Sequence, residues 1–211
     1  MRPWTLLAAP LAAALCTTAA AAQPAPRTPP PPSRVEVGVR LAGFEMVNSA
    51  DSYDAVYGET MPVGGVEAAA VLRGRLFLAL AYERGEVDGE RVLLTRPPRP
   101  TGVPTELTYA PLHLTLGAVL RPRARWQVRL GAGPTLLDWQ DASAGESQGG
   151  TDLGWHLAAG LRRELRRWSL GGELRYSTIP DAVGEGGVTQ FFGDDDLGGL
   201  ELAAVASYRL R

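Results

Sequence analysis

The residues of this 211-residue chain that could do chemistry are glutamates, arginines and two histidines, set singly among glycine, alanine and serine. Glu36, Arg40, Glu67, Glu83, His113, Arg129, His156, Arg162, Glu173, Arg175, Glu201 and Arg209 all fall in segments whose hydrophobicity alternates in steps of two. Acids and arginines nearly balance among them. A buried charge is tolerable only when it is paired and hydrogen-bonded. The set therefore reads as a salt-bridged filling for an interior, or as a gated ion path with the same charges as the switch. His113 and His156 lie on separate segments with no cysteine nearby, a weak pattern for a metal. They are expected in a buried hydrogen-bond network. No metal and no cofactor is expected.

The segments that must position these groups are short strands. In Trp155-His156-Leu157-Ala158-Ala159-Gly160-Leu161-Arg162, one face carries Trp155, Leu157, Ala159 and Leu161 and the other His156, Ala158, Gly160 and Arg162. Strand side chains alternate faces, so a period of two sorts them onto the two surfaces of a sheet. About eight such segments occur, near Arg34–Met46, Val63–Leu72, Leu76–Arg84, Glu106–Leu120, Trp126–Leu137, Trp155–Arg162, Trp168–Tyr176 and Gly198–Leu210. Long connections (Val47–Pro62, Gly85–Thr105, Asp138–Thr151, Thr178–Leu197) alternate strictly with three short arginine-containing turns. That rhythm predicts an all-β fold, a closed antiparallel up-and-down transmembrane β-barrel with four long outer loops.

A soluble barrel or sandwich would also alternate. Two features argue against one here. The less apolar face carries only one or two charges per strand amid small residues, which suits the cramped inside of a narrow barrel. Aromatic residues of the greasy face cluster at strand ends. Trp126, Trp168 and Tyr208 lie near the short turns, and Tyr82, Trp155 and Tyr176 toward the long loops, as in two interfacial girdles.

Composition and targeting signals agree. Residues 1–22 read as a signal peptide, with Arg2, an apolar run from Leu6 to Leu15 and Ala20-Ala21-Ala22 before Gln23. The single cysteine, Cys16, falls inside that leader; Leu15 before it is large for a lipoprotein signal. The mature chain then has no thiol for disulfides or thiolate metal sites. Residues 23–33 are proline-rich and read as an extended periplasmic spacer, leaving 34–211 for the barrel. All 21 basic residues are arginine against 23 acids, a net charge of -2. No basic excess points to nucleic acid. Beyond the leader no apolar run is long enough for a membrane helix.

Pro111-Leu112-His113-Leu114-Thr115-Leu116-Gly117, Gly131-Ala132-Gly133-Pro134, Gly154–Gly160, Gly172-Glu173-Leu174-Arg175-Tyr176 and the closing Leu202–Leu210 strand carry a family resemblance. From Arg34 onward the strand plan resembles the small outer-membrane β-barrels that include the OmpA transmembrane domain, OmpX and OmpW. The resemblance implies a Gram-negative outer-membrane location, with the spacer and C-terminus periplasmic. It also implies contact with outer-membrane lipid and lipopolysaccharide, insertion by the barrel-assembly machinery, and a monomer. Such barrels usually end on an aromatic residue read by that machinery, whereas this chain ends Tyr208-Arg209-Leu210-Arg211.

Three functions are compatible with that family. The leading one is a structural or surface-interaction role with a charged, plugged lumen, in which Tyr53, Tyr57, Phe191 and Phe192 contact a partner or lipopolysaccharide, or equally pack the loop bases. The second is a narrow channel or carrier for small hydrophobic molecules, resembling the OmpW type. The third is a lipid A-modifying enzyme, which in the deacylase family requires a His and a nearby Ser facing the outer leaflet. Here His113 is followed by Thr115, both on the inward face, so no catalytic residue is assigned. Asp194-Asp195-Asp196 could bind a divalent cation at the lipopolysaccharide surface, or be a solvated loop end. Antiparallel neighbours in a closed barrel include the first and last strands, so Arg40 should lie between Glu67 and Glu201, with Arg175 beside Glu201.

Overall fold

The structure, a computed structural model, describes residues 33–48, 50–58, 60–72, 75–93, 95, 99–120, 124–180, 182 and 196–210. The leader, the spacer up to residue 32, and Phe191 and Phe192 lie outside the described residues. Eight strands follow in order: β1 (Arg34–Glu45), β2 (Met61–Leu72), β3 (Leu76–Leu93), β4 (Arg99–Leu120), β5 (Trp126–Ser143), β6 (Glu146–Leu165), β7 (Trp168–Thr178) and β8 (Leu200–Leu210). A short helix, α1 (Ala50–Val56), lies between β1 and β2. Each strand pairs antiparallel with the next, and β8 pairs with β1 to close a barrel.

The register fixes the barrel's shape. From Val35 the partners run through Ala70, Leu78, Leu116, Ala132, Leu157, Tyr176 and Leu200, returning to β1 at Glu45. That is ten residues above the start, so the strands must tilt by roughly 40° to the axis. The residues of the circuit short of Glu45 belong to the apolar outward face. Around them Val37, Leu41, Val66, Leu80, Leu114, Leu130, Leu174 and Leu202 are exposed to what surrounds the barrel.

Two of the four expected long loops are strand. A membrane-crossing strand needs about 9–11 residues, yet β4 has 22 and β6 has 20. The expected loops Gly85–Thr105 and Asp138–Thr151 are therefore largely a continuation of β3 to β6 beyond the bilayer. The strict alternation of long and short connections also fails at β5–β6, where only Ala144 and Gly145 separate the paired Ser143 and Glu146. Both turn residues have positive φ, 51° and 85°, as a two-residue hairpin on twisted strands requires.

The physical reason is an inversion of phase. Within the bilayer the outward positions are apolar, as far as Tyr82 on β3 and Leu136 on β5. Beyond it the outward positions become Arg84, Glu86 and Asp88, or Asp138 and Gln140. The inward ones become the buried Leu107, Tyr109, Leu137 and Trp139. Water on the outside and packing on the inside reverse the preference of the two faces.

These inward side chains build a core in the loop-side mouth. Phe44, Met61, Leu137 and Ile179 are at most 1% exposed, and Phe44 stacks on Tyr109 with ring centroids 4.6 Å apart. Helix α1 seats Tyr53 in the same core. Tyr57 hydroxyl and Thr105 hydroxyl lie 3.4 Å apart. The approach of α1 depends on Gly89, where a Cβ would stand 2.4 Å from the Val56 carbonyl oxygen. Of the two roles expected for the loop aromatics, Tyr53 takes packing, and Tyr57 is half-buried beside it. A second apolar cluster, Ala69, Val71, Phe77, Ala79 and Val119, fills the turn-side lumen. The lumen is thus layered and not charged throughout.

Candidate functional site

Between the two apolar layers lies the charge cluster. The Arg40 guanidinium is surrounded by Glu67 (2.9 Å), Glu83 (2.8 Å), Glu173 (3.0 Å) and Glu201 (2.9 Å). Arg175 meets Glu83 (2.6 Å), Glu173 (3.0 Å) and Glu201 (3.2 Å). Arg162 meets Glu67 (3.3 Å) and Glu173 (3.1 Å), and donates to the Ser207 hydroxyl at 3.2 Å. Every carboxylate touches at least two guanidiniums, the geometry in which charge-assisted hydrogen bonds offset desolvation. The cluster brings together Arg40, Glu67, Glu201 and Arg175, although Glu201 stands opposite Phe44, four residues along β1 from Arg40, and it also takes in Glu83, Glu173 and Arg162 from the expected lumen charges.

Among the described residues, three ion pairs cross the full width of the barrel. β3 and β7, β2 and β6, and β1 and β5 are each four strands apart in either direction. Arg175–Glu83, Arg162–Glu67 and Arg129–Glu36 (2.6 Å) join them. Reasoning from neighbouring strands misses these pairs. The usable signal is barrel size: eight strands leave an interior that one guanidinium and one carboxylate can span. Arg129 therefore belongs to a separate turn-side group. There Glu36 also binds Arg34 at 2.6 Å, and Glu164 binds Arg34 at 2.7 Å and Arg209.

His113 and His156 stand beside the central cluster, with rings 5.0 Å apart at 77°. His113 Nδ1 and His156 Nδ1 both meet the Thr135 hydroxyl, at 2.8 and 2.9 Å, and His156 Nε2 meets the Thr115 hydroxyl at 2.8 Å. All four residues are buried, so the His113–Thr115 pair faces the lumen and not lipid. Glu83, His113 and Glu201 present ligand atoms within 4.8 Å of one another, the set best placed to hold a cation among the described residues. Both carboxylates are already held by Arg40 and Arg175, which compete for the same lone pairs.

The outward aromatics form two tiers. Trp126 and Trp168 are about half exposed near the turns, and Trp168 meets Tyr208 edge-on at 5.1 Å. Tyr82, Trp155 and Tyr176 are exposed at the loop side, and the Tyr176 hydroxyl donates to Asn48 at 2.8 Å. Asp196, considered for cation binding, is a clamp at the base of the β7–β8 connection. It accepts from the Ile179 and Gly198 amides, Thr178 and Asn48; Asp194 and Asp195 lie outside the described residues.

This closed ring of eight strands, greasy outside and salt-bridged inside, coincides with a family match. The family described as "Outer membrane protein beta-barrel domain" matches residues 12–209. The chain belongs to it. Membership in this outer-membrane β-barrel family implies the Gram-negative outer membrane. No curated protein matches the sequence. Among solved structures it is similar to Neisserial surface protein A, at 12% identity over 84% of this chain and 97% of that one, with a TM-score of 0.54. It is also similar to Ail, the attachment invasion locus protein of Yersinia pestis. In complex with the heparin analogue sucrose octasulfate, Ail aligns at 12% identity over 84% of this chain and 97% of that one, with a TM-score of 0.51. At such identities the likeness is one of fold.

Proposed function

We propose that this outer-membrane barrel is a surface-interaction protein whose contact face is the loop-side extension of β3 to β6, seated on a lumen closed to bulk water. In this reading the turn end and both termini face the periplasm. The observation that carries it lies on the outward face of the extension, where Asp88 stands directly opposite Glu106 in the β3–β4 register. Like charges placed opposite each other destabilise a sheet. Glu86 stands two residues nearer the membrane, where it pairs with Arg84, which separates it from Tyr82 of the aromatic tier. Carboxylates gathered at that height are complementary to divalent cations, which bridge them to the phosphates of lipopolysaccharide.

The test is lipopolysaccharide binding by the purified barrel with Mg2+ and with a chelator. The expected result is Mg2+-dependent binding that Asp88→Asn combined with Glu106→Gln abolishes. Binding indifferent to both the chelator and the double variant would refute the contact face. A carrier for hydrophobic molecules has less support, because the apolar mouth is filled by Phe44, Met61, Leu137 and Tyr53.

A further inference from the structure

The outer wall carries a groove of about 560 Å³ on β5 to β8, near the turn end. Its floor is Gly172, which the register sets between Leu161 on β6 and Ala204 on β7's other neighbour, β8. A Cβ at Gly172 would meet only the Ala203 carbonyl oxygen, at 3.6 Å, so the space above it is open. Leu170, Leu174 and Leu202 line the sides. At the turn end the groove reaches Trp126 and Arg163, whose guanidinium carbon sits 5.7 Å from the Trp126 ring centre. Such stacking holds the cation at the interface with its donors free to turn outward.

Among the described residues, the exposed charges of the turns around that end are arginines. Arg125, Arg166 and Arg167 are exposed in the adjoining turns, and the Glu164 amide hydrogen-bonds the Arg125 carbonyl, bringing the two turns together. The nearby carboxylates turn away: Glu164 binds Arg34 and Arg209, and Glu173, which touches the groove floor, binds Arg40, Arg162 and Arg175 in the lumen.

We propose that this groove binds an anionic phospholipid, with one acyl chain over Gly172 and the headgroup phosphate on Arg163. An apolar groove ending in a guanidinium at the depth of an aromatic tier matches a lipid's own sequence of tail, then phosphate. The inference rests on the turn end facing the periplasmic, phospholipid leaflet.

The protein is placed in bilayer discs of equal phosphatidylglycerol and phosphatidylethanolamine, released gently and weighed intact by mass spectrometry. The expected result is retained phosphatidylglycerol in about fivefold preference, the order that one interfacial arginine supplies. Arg163→Gln brings the ratio to about one. Gly172→Leu, which fills the floor with its Cβ only in ordinary contact with the Ala203 carbonyl oxygen, lowers retention of both lipids while the heat-modifiable gel shift stays intact. Equal retention in the wild type, or unchanged retention in both variants, overturns the proposal. Loss of Mg2+ dependence at Asp88 and Glu106 leaves this readout unaffected, so failure at either end of the barrel is told apart from failure at the other. Substituting lipopolysaccharide for phosphatidylglycerol in the discs checks the orientation; preferential retention of lipopolysaccharide at Arg163 also overturns it.

Discussion

Arg175 on β7 reaches Glu83 on β3, the strand diametrically opposite, at 2.6 Å. The lumen is therefore braced across its width as well as around its wall. In the central cluster the guanidiniums of Arg40, Arg162 and Arg175 face the carboxylates of Glu67, Glu83, Glu173 and Glu201, leaving acids in excess by one. The two partners of the brace should then respond unequally. Arg175→Ala strands carboxylates in a low-dielectric space and is expected to cost about 3–5 kcal/mol. Glu83→Gln removes the surplus charge and should cost about 1 kcal/mol, the worth of a weakened hydrogen bond. Urea unfolding in lipid vesicles measures both; equal losses would contradict the count.

Arg40 is the hub, touching all four carboxylates. Arg40→Ala is expected to lower the temperature of the heat-modifiable gel shift and to raise single-channel conductance above that of the wild type. Asp88→Ala, on the outer surface, should do neither. Identical behaviour of the two variants would show that this cluster does not fill the barrel.

Leu136 and Leu137 are consecutive on β5, yet one is 44% exposed and the other fully buried. Leu137→Ala opens a cavity in the mouth core and should cost about 2–5 kcal/mol. Leu136→Ala should cost a fraction of that, since its side chain loses contact with lipid and not with a packed core. Denaturant midpoints of the two variants decide the matter.

Spin labels placed along Leu112–Leu120 should report the same alternation. Leu114, Leu116 and Leu120 are expected to be open to a lipid-soluble relaxant, while His113, Thr115 and Val119 are shielded. Uniform exposure, or a helical period, would be incompatible with the barrel wall.

The tip of β5–β6 holds Ala144 at φ 51°. A residue with a Cβ pays about 1–2 kcal/mol in that region, against an entropic penalty of about 0.5–1 kcal/mol for glycine. Ala144→Gly should therefore slow amide exchange at Ser143 and Glu146, with no change at the membrane-embedded amides.

The sequence made the barrel legible wherever lipid imposed its alternation. It made β3 to β6 too short because past Arg84 and Asp138 the apolar residues change face. Pro100 and Pro104 add turn-like signals to what is strand. The alternation Leu107, Tyr109 and Leu137, Trp139 was present, but in the opposite phase, which reads as an ending when only one phase is followed. Arg40, Glu67 and Glu201 were legible from strand adjacency together with the place expected for each near the middle of its strand. Glu83–Arg175 and Glu67–Arg162 were not, because a list of neighbouring strands says nothing of what meets across a closed ring. The burial of Tyr53 depends on how α1 folds back over Gly89, and a loop sequence carries no period to announce that.

The diametric pairs also say something about assembly. Glu36, Glu67 and Glu83 each find an arginine half a circumference away, on a strand made much later in the chain. While the sheet is open these groups stand far apart and stay hydrated, so few of the cross-lumen contacts exist to stabilise a partly wrapped form. When β8 meets β1, water leaves the interior and the charges pair in a single step. Closing the β1–β8 seam thereby joins charges that stand apart in an open sheet into a brace across the barrel.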